Sequence, residues 1–237
     1  MDSPLERAKC LVAQRAVDTY VRDGTCVGLG TGTTARYAIE RTAERIRGGL
    51  RVRAVATSLE TERLCRESGV PLVSFGDEPI DVAIDGADEV APDWSLIKGG
   101  GGALFREKAV AIAATAFIVI VTRSKCVERL GAFALPVEVV PFSTPYVARE
   151  IEALGAAVTL RRGSEGRAFA SDNGNAILDC RFNAIPAPAL LDRILREIHG
   201  VVSTGLFVGL TSAVLVAGDD GQVDELRPAS RLVSARG

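Results

Sequence analysis

Cys26-Val27-Gly28-Leu29-Gly30-Thr31-Gly32-Thr33-Thr34-Ala35 is the stretch whose reading decides the fold. Cys26 to Gly30 reads as a short buried strand that runs into a glycine turn. From Thr33 to Arg47 the apolar residues Ala38, Ile39, Ala43 and Ile46 fall on one helical face. A strand, a glycine turn and a helix in direct succession leave free amides at a helix start, where an anion is favoured. Thr31, Thr33 and Thr34 add hydroxyl donors. A plain strand-to-helix connection has the same appearance. The spacing fails the dinucleotide pattern GxGxxG, because Thr33 stands at the last glycine position. The next strand ends in Ala56-Thr57-Ser58 and not in the acid that a dinucleotide ribose needs. No Gly-Lys-Ser/Thr follows, so a Walker loop is excluded. The pattern points to a monophosphate.

Outward from this stretch, helices and strands alternate. Leu5 to Val21, Glu60 to Ser68 and Lys108 to Ala116 are predicted helices. Val52 to Ala56, Pro71 to Phe75, Asp81 to Asp85 and Phe117 to Val121 are predicted strands. Nearly continuous apolar strands alternating with helices predict an α/β fold with a parallel sheet covered on both faces. After about Leu130 the pattern changes. Pro136 to Val140, Ala157 to Arg161, Ala176 to Phe182 and Val201 to Val208 read as strands. Thr144 to Leu154 and Pro188 to Ile198 read as helices. The order βαββαβ is that of a split βαβ unit and predicts a second, smaller α+β domain. Ala213 to Leu226 is expected to return to the first domain. The expected domains are residues 1–130, joined by about 206–237, and residues 131–205.

Composition narrows the function classes. At 237 residues, 47% hydrophobic, the chain can bury a full core. A net charge of −2 gives no nucleic-acid surface. The longest apolar run, Ala109 to Val121, is too short to span a bilayer, so no membrane partner is expected. The five cysteines, scattered and without CxxC spacing, read as reduced thiols of a cytoplasmic protein. The single histidine, His199, excludes a multi-histidine metal site. It sits near a helix C-terminus, where a dipole contact is its ordinary role.

Two further stretches carry chemistry. Asp85-Gly86-Ala87-Asp88-Glu89 follows an apolar strand, and the carboxyl ends of parallel strands form the ligand crevice. Two carboxylates three residues apart can face one cavity and exchange protons with sugar hydroxyls; a solvated Asp-Gly turn is the alternative. Calcium binding lacks the EF-hand spacing. Lys98-Gly99-Gly100-Gly101-Gly102 sets a cation beside four glycines, whose ordering is costly without a use. Their amides can cradle an oxyanion, and Glu107, at a helix start, can act as a carbon base. The alternative is a glycine-rich loop with an exposed Glu-Lys helix turn. Lys125, after the strand Phe117 to Val121, is either a phosphate contact or a surface lysine.

Taken together, GLGTGTTA, Thr57-Ser58 with Thr61, IDGADE, IKGGGGAL with REK, Ser124-Lys125, LPVEVVP, DNGNAILD and GVVSTGLF occur in an order that resembles the type A ribose-5-phosphate isomerase family over nearly the whole chain. The resemblance implies a Rossmann-like domain with a ferredoxin-like domain, assembled as a homodimer or homotetramer. It implies interconversion of ribose 5-phosphate and ribulose 5-phosphate without metal or organic cofactor. The small-molecule partner would be a sugar phosphate. Carried onto this chain, Glu107 matches the catalytic base, with Asp85, Asp88 and Lys98 beside it. Thr31, Gly32, Thr33 and Thr34 match a substrate loop. Asp85, Gly86, Ala87 and Asp88, then Lys98, Gly99, Gly100 and Gly101, match two further substrate segments, and Lys125 matches a substrate lysine. The chain departs from the family pattern at Thr33, where serine is usual, and at Phe105, where threonine is frequent. The early lysine of the first helix has only Lys9 or Cys10 as its counterpart. A sugar-phosphate-sensing regulatory module, an amino-sugar-phosphate deaminase and a CoA transferase with a glutamate nucleophile are the rival readings.

Overall fold

A computed structural model describes residues 3–164, 166–218 and 220–228. The first half runs α1 (Pro4–Tyr20), β1 (Cys26–Leu29), α2 (Thr33–Arg47), β2 (Arg53–Ala56), α3 (Leu59–Ser68), β3 (Ile80–Asp85), β4 (Glu89–Val90), β5 (Leu96–Ile97), α4 (Leu104–Ala113) and β6 (Ala114–Thr122). The second half runs β7 (Leu135–Val139), α5 (Thr144–Ala153), β8 (Ala157–Leu160), β9 (Ala176–Arg181), α6 (Pro188–Glu197), β10 (Val201–Thr204), β11 (Leu206–Phe207), β12 (Ala213–Ala217) and β13 (Val223–Leu226).

Six strands form the main sheet in the order β13-β12-β6-β3-β1-β2, parallel throughout except for β13 at one edge. Every residue of β1 and β12 is buried. That is the signature of a sheet covered on both faces, and it explains the nearly unbroken apolar runs. Local signals start the covering helices. Ser3 caps α1 by accepting the Glu6 N–H, and Pro4 sits where no amide bond is lost. Ala8, Val12, Ala13, Ala16 and Val17 then present one buried face. Ser58 caps α3 through the Thr61 N–H, and Gly69 closes it in the left-handed conformation.

The second sheet has the order β10-β7-β9-β8 and is wholly antiparallel. Val137, Val139 and Leu178 of its strands pack with Val147 and Ile151 of α5 and Leu195 of α6. The βαββαβ order is therefore realised as a ferredoxin-like α+β layer. A small third sheet, β11-β5-β4, places Ile97 and Leu206 in the core of the second sheet and Val90, Leu96 and Phe207 in a core of the first. Among the described residues, no helix is long and apolar enough to cross a membrane.

Three elements differ from the sequence reading. The predicted strand Pro71 to Phe75 is reduced to a single bridge between Ala54 and Leu72. The helix expected at Lys108 starts at Leu104 and gives way at Ala114, whose backbone turns extended to pair with Ile80. The strand Val201 to Val208 is broken at Gly205, where the chain leaves one sheet for another. Gly205 donates its N–H to Pro136 O and accepts the Lys98 N–H. The returning segment Ala213 to Leu226 does join the main sheet as β12 and β13; residues 229–237 of the expected first domain lie outside the described residues.

Candidate active site

In the main sheet the strand order reverses between β1 and β3, which are neighbours connected in opposite directions. Loops leaving the carboxyl ends of two such strands diverge and open a crevice. Gly30-Thr31-Gly32 leaves β1 there, and Gly86-Ala87-Asp88 leaves β3. A cavity of about 130 Å³ lies between them, lined by Thr31 to Ala35, Gly86 to Asp88, Lys98 to Gly101, Glu107 and Lys125. It shares Thr33, Thr34, Ala87 and Lys125 with an adjoining cavity of about 330 Å³ that also reaches Lys9. Thus residues scattered from 31 to 125 converge. Of the expected residues, only Asp85 does not line the cavity; it stands behind the wall.

Asp85 ends β3 and is 3% exposed. Its Oδ1 accepts the N–H groups of Gly86 at 2.7 Å and Thr31 at 3.2 Å. Its Oδ2 lies 3.0 Å from Lys98 Nζ. Gly30 allows this approach, because a Cβ there would fall 2.0 Å from Asp85 Oδ1. Lys98 follows β5 directly, and its Nζ also donates to Gly86 O at 2.7 Å. Glu107 lies in the first turn of α4, 5% exposed, with Oε2 3.4 Å from Lys98 Nζ. That contact lacks hydrogen-bond alignment, and Glu107 Oε2 has no hydrogen-bond partner.

One ammonium is thus buried with two carboxylates. Burial disfavours the ionised form of Glu107, and although Lys98 opposes it, Asp85 and Asp88 add repulsion; the carboxyl is pushed up to about 8. Burial raises Asp85 as well. Asp85 accepts two backbone N–H groups and lies nearer the ammonium, while Glu107 Oε2 accepts none, so Glu107 is the carboxyl that its surroundings favour less in ionised form. Burial alone would lower Lys98, but Asp85 and Glu107 outweigh it and push the ammonium up to about 12. Lys98 stays charged while Glu107 is poised to exchange a proton near neutrality.

Asp88 is half-buried; its Oδ2 accepts the Gly100 N–H at 2.8 Å. The Thr31 hydroxyl is turned to Thr57, Ser58 and Thr61, at 2.9, 2.8 and 3.1 Å, and so braces the loop. α2 begins at Thr33 with no side-chain cap, so its first amides are open to an anion. Lys125 stands across the cavity from them, in a 3-10 turn after β6. Lys108, next to Glu107, turns the other way, to Asp192 at 3.5 Å and Thr204 at 3.2 Å. Burial brings it down to about 8, against the pull of Asp192. Phe207 is fully buried between the two ammoniums, 5.5 Å from Lys98 Nζ and 5.1 Å from Lys108 Nζ. The sequence reading missed Phe207 and Asp192, which lie about 100 residues from their partners; the GVVSTGLF motif was the only pointer to Phe207.

A larger groove of about 670 Å³ lies on the other side of α4, between Phe75, Phe105 and Arg106. Arg66 and Arg106 on its wall are engaged with Glu62 and Asn173. It offers no buried group poised to titrate, so the smaller cavity is the candidate site.

Known proteins agree with this architecture. The family described as ribose 5-phosphate isomerase A (phosphoriboisomerase A) matches residues 53–221. Ribose-5-phosphate isomerase A of Gloeobacter violaceus is 49% identical over 95% of this chain and 98% of its own length. The structure of ribose 5-phosphate isomerase A from Methanocaldococcus jannaschii superposes with a TM-score of 0.89 at 39% identity, covering 93% of this chain and 98% of that one. A D-ribose-5-phosphate isomerase in complex with phospho-erythronic acid superposes with a TM-score of 0.92 at 35% identity, covering 96% and 100%. On these matches and this fold, the chain belongs to the ribose 5-phosphate isomerase A family.

Proposed function

We propose that this cavity interconverts ribose 5-phosphate and ribulose 5-phosphate through an enediolate, with Glu107 as the carbon base. The observation that carries the reading is the buried Lys98–Glu107 pair: a fixed cation and a carboxyl raised to about 8 at the wall of one small cavity. In its ionised form Glu107 takes the C2 proton of the open-chain aldose. The electron pair moves into the C1–C2 bond while the C1 carbonyl oxygen gains negative charge. Lys98 and the glycine amides stabilise that charge. A proton passes from the C2 hydroxyl to the C1 oxygen, and Glu107 returns its proton to C1, leaving a ketone at C2. Asp88 serves the hydroxyl protons and ring opening. Asp85, enclosed behind Lys98, keeps the ammonium in place. The amides of Thr33 to Ala35 and Lys125 hold the phosphate, and the adjoining cavity supplies the length that the open chain needs.

The bound phospho-erythronic acid of the related structure supports a phosphorylated acyclic ligand for this site. The same proposal extends to organisation: residues 1–130 with the return after residue 205 as one domain, 131–205 as the other, association as a homodimer or homotetramer, and a cytoplasmic location. Turnover of ribose 5-phosphate in deuterium oxide tests the chemistry. The ketose is expected to carry deuterium at C1. Ketose formed with no deuterium at C1, together with an undiminished rate in Glu107→Gln, would point to direct hydride transfer and end the enediolate reading; no deuterium beside an inactive Glu107→Gln would mean that the carboxyl hands its proton back before it exchanges.

A further inference from the structure

We propose that Arg161, carried by the four-stranded sheet, is a positioning residue for the isomerisation: it holds the carbonyls of the glycine cradle and so aims the cradle's amides. The inference rests on the reading of Lys98 to Gly102 as the oxyanion cradle.

Arg161 directly follows β8. Its own backbone is fixed on both sides, the N–H donating to Ile177 O and the carbonyl accepting the Phe169 N–H. One edge of its guanidinium is committed to Asp179 of β9, through Nε to Oδ2 at 3.0 Å and through Nη2 to Oδ1. This two-point contact fixes the plane of the group. Nη1 is left facing the cradle, where it donates to Gly99 O at 2.8 Å and to Gly100 O at 3.1 Å.

In a trans peptide the carbonyl and the N–H point to opposite sides. Holding the Gly99 carbonyl therefore sends the Gly100 N–H away from Arg161, and it meets Asp88 Oδ2 at 2.8 Å. Holding the Gly100 carbonyl sends the Gly101 N–H the same way. Gly101 lines the cavity, and among the described residues no acceptor takes its N–H. One guanidinium thus sets two functional elements: the Asp88 carboxylate, and an open amide for substrate oxygen. A run of four glycines has no side chains with which to fix these peptide planes itself.

Phe169 completes the clamp. The guanidinium lies 5.9 Å from its ring centre, and the ring edge occupies the space where a Cβ on Gly102 would come within 2.5 Å. Gly102 also has φ of +85°, so glycine is required on both counts. The cradle is shaped from outside, by a sheet that contributes no titratable group to the cavity wall.

The test uses the full chain with Arg161→Ala, Arg161→Lys and Asp179→Asn. Because Arg161 touches neither the phosphate loop nor Lys125, kcat of Arg161→Ala should fall about tenfold to a hundredfold while KM changes less than about threefold. The isotope effect with C2-deuterated ribose 5-phosphate should rise, and added methylguanidinium should restore much of the rate. Arg161→Lys should remain impaired, since one ammonium cannot hold Asp179 and two carbonyls together. Asp179→Asn should fall between. Unchanged kcat in Arg161→Ala would overturn the proposal. So would a loss that tracks a lower melting temperature without rescue by methylguanidinium. Glu107→Gln, assayed in parallel, separates the two levels: if it keeps its rate the site reading fails, whereas an inactive Glu107→Gln beside a fully active Arg161→Ala leaves the site and removes only the clamp.

Discussion

The Lys98 ammonium stands 3.4 Å from Glu107 Oε2 with no hydrogen bond between them. The ammonium donates to Gly86 O and pairs with Asp85 Oδ2 at 3.0 Å. Glu107 Oε2 is left beside the cation without a hydrogen bond of its own.

Glu107→Gln removes the proposed base together with its buried, unpartnered carboxylate. Turnover should fall by about 10²–10⁴-fold, while sugar phosphate still binds. Between pH 4.5 and about 8 the folded chain holds a proton that the unfolded chain has released. Stability of the parent protein therefore falls as pH rises through that window. Scanning calorimetry should show the variant gaining on the parent as pH is raised from 5 to 8. A constant difference would contradict the raised carboxyl.

The rate itself should report the same group. With Glu107 as the proposed base, kcat/KM should climb with pH and level off above about 8. Asp88 contributes to the upward shift, so Asp88→Asn should move this limb to lower pH besides slowing the reaction. A profile flat from pH 6 to 9 would remove Glu107 from the rate equation.

Lys98→Met strands two buried carboxylates. Urea unfolding should show a loss of about 3–5 kcal/mol near pH 8, and activity should drop about 10²–10³-fold. The loss of stability should shrink at pH 5, where the carboxyls take up protons. Because Lys98 supplies the positive charge in this mechanism, exhaustive chelation should leave the parent rate unchanged.

Gly30→Ala tests the close approach of β1 to Asp85. The new methyl carbon would lie 2.0 Å from Asp85 Oδ1. Asp85 must move, and Lys98 loses its anchor. Turnover should collapse with a stability loss of about 1–3 kcal/mol, although residue 30 touches neither reacting carbon. An active, fully stable variant would show that Asp85 is dispensable.

Much of this was legible before any coordinates. Buried parallel strands have few polar positions, so Cys26 to Leu29 and Phe117 to Val121 stand out, and glycines after β1 announce the crevice. α4 was misplaced because Ala103, at its N-cap, offers no side-chain signal; the first turn is fixed by tertiary packing of Leu104 and Glu107. The strand Val201 to Val208 carries Ser203, Thr204 and Gly205 at its middle, and only the partners of Gly205 reveal that it changes sheets there. Sequence shows that Asp85 ends a strand but not that its carboxylate is enclosed behind the cavity wall. Arg161 was invisible for a simpler reason: sixty-odd residues separate it from the carbonyls it holds, and a single arginine at a strand end has no spacing to betray it.

Gly205 joins the framework at the reacting centre, with its N–H on Pro136 of one sheet and its carbonyl on the backbone of Lys98. Relative shear of the two layers is therefore delivered to the backbone that carries the Lys98 ammonium. The crossing of the chain between layers thus doubles as a backbone brace for the residue that holds the buried cation.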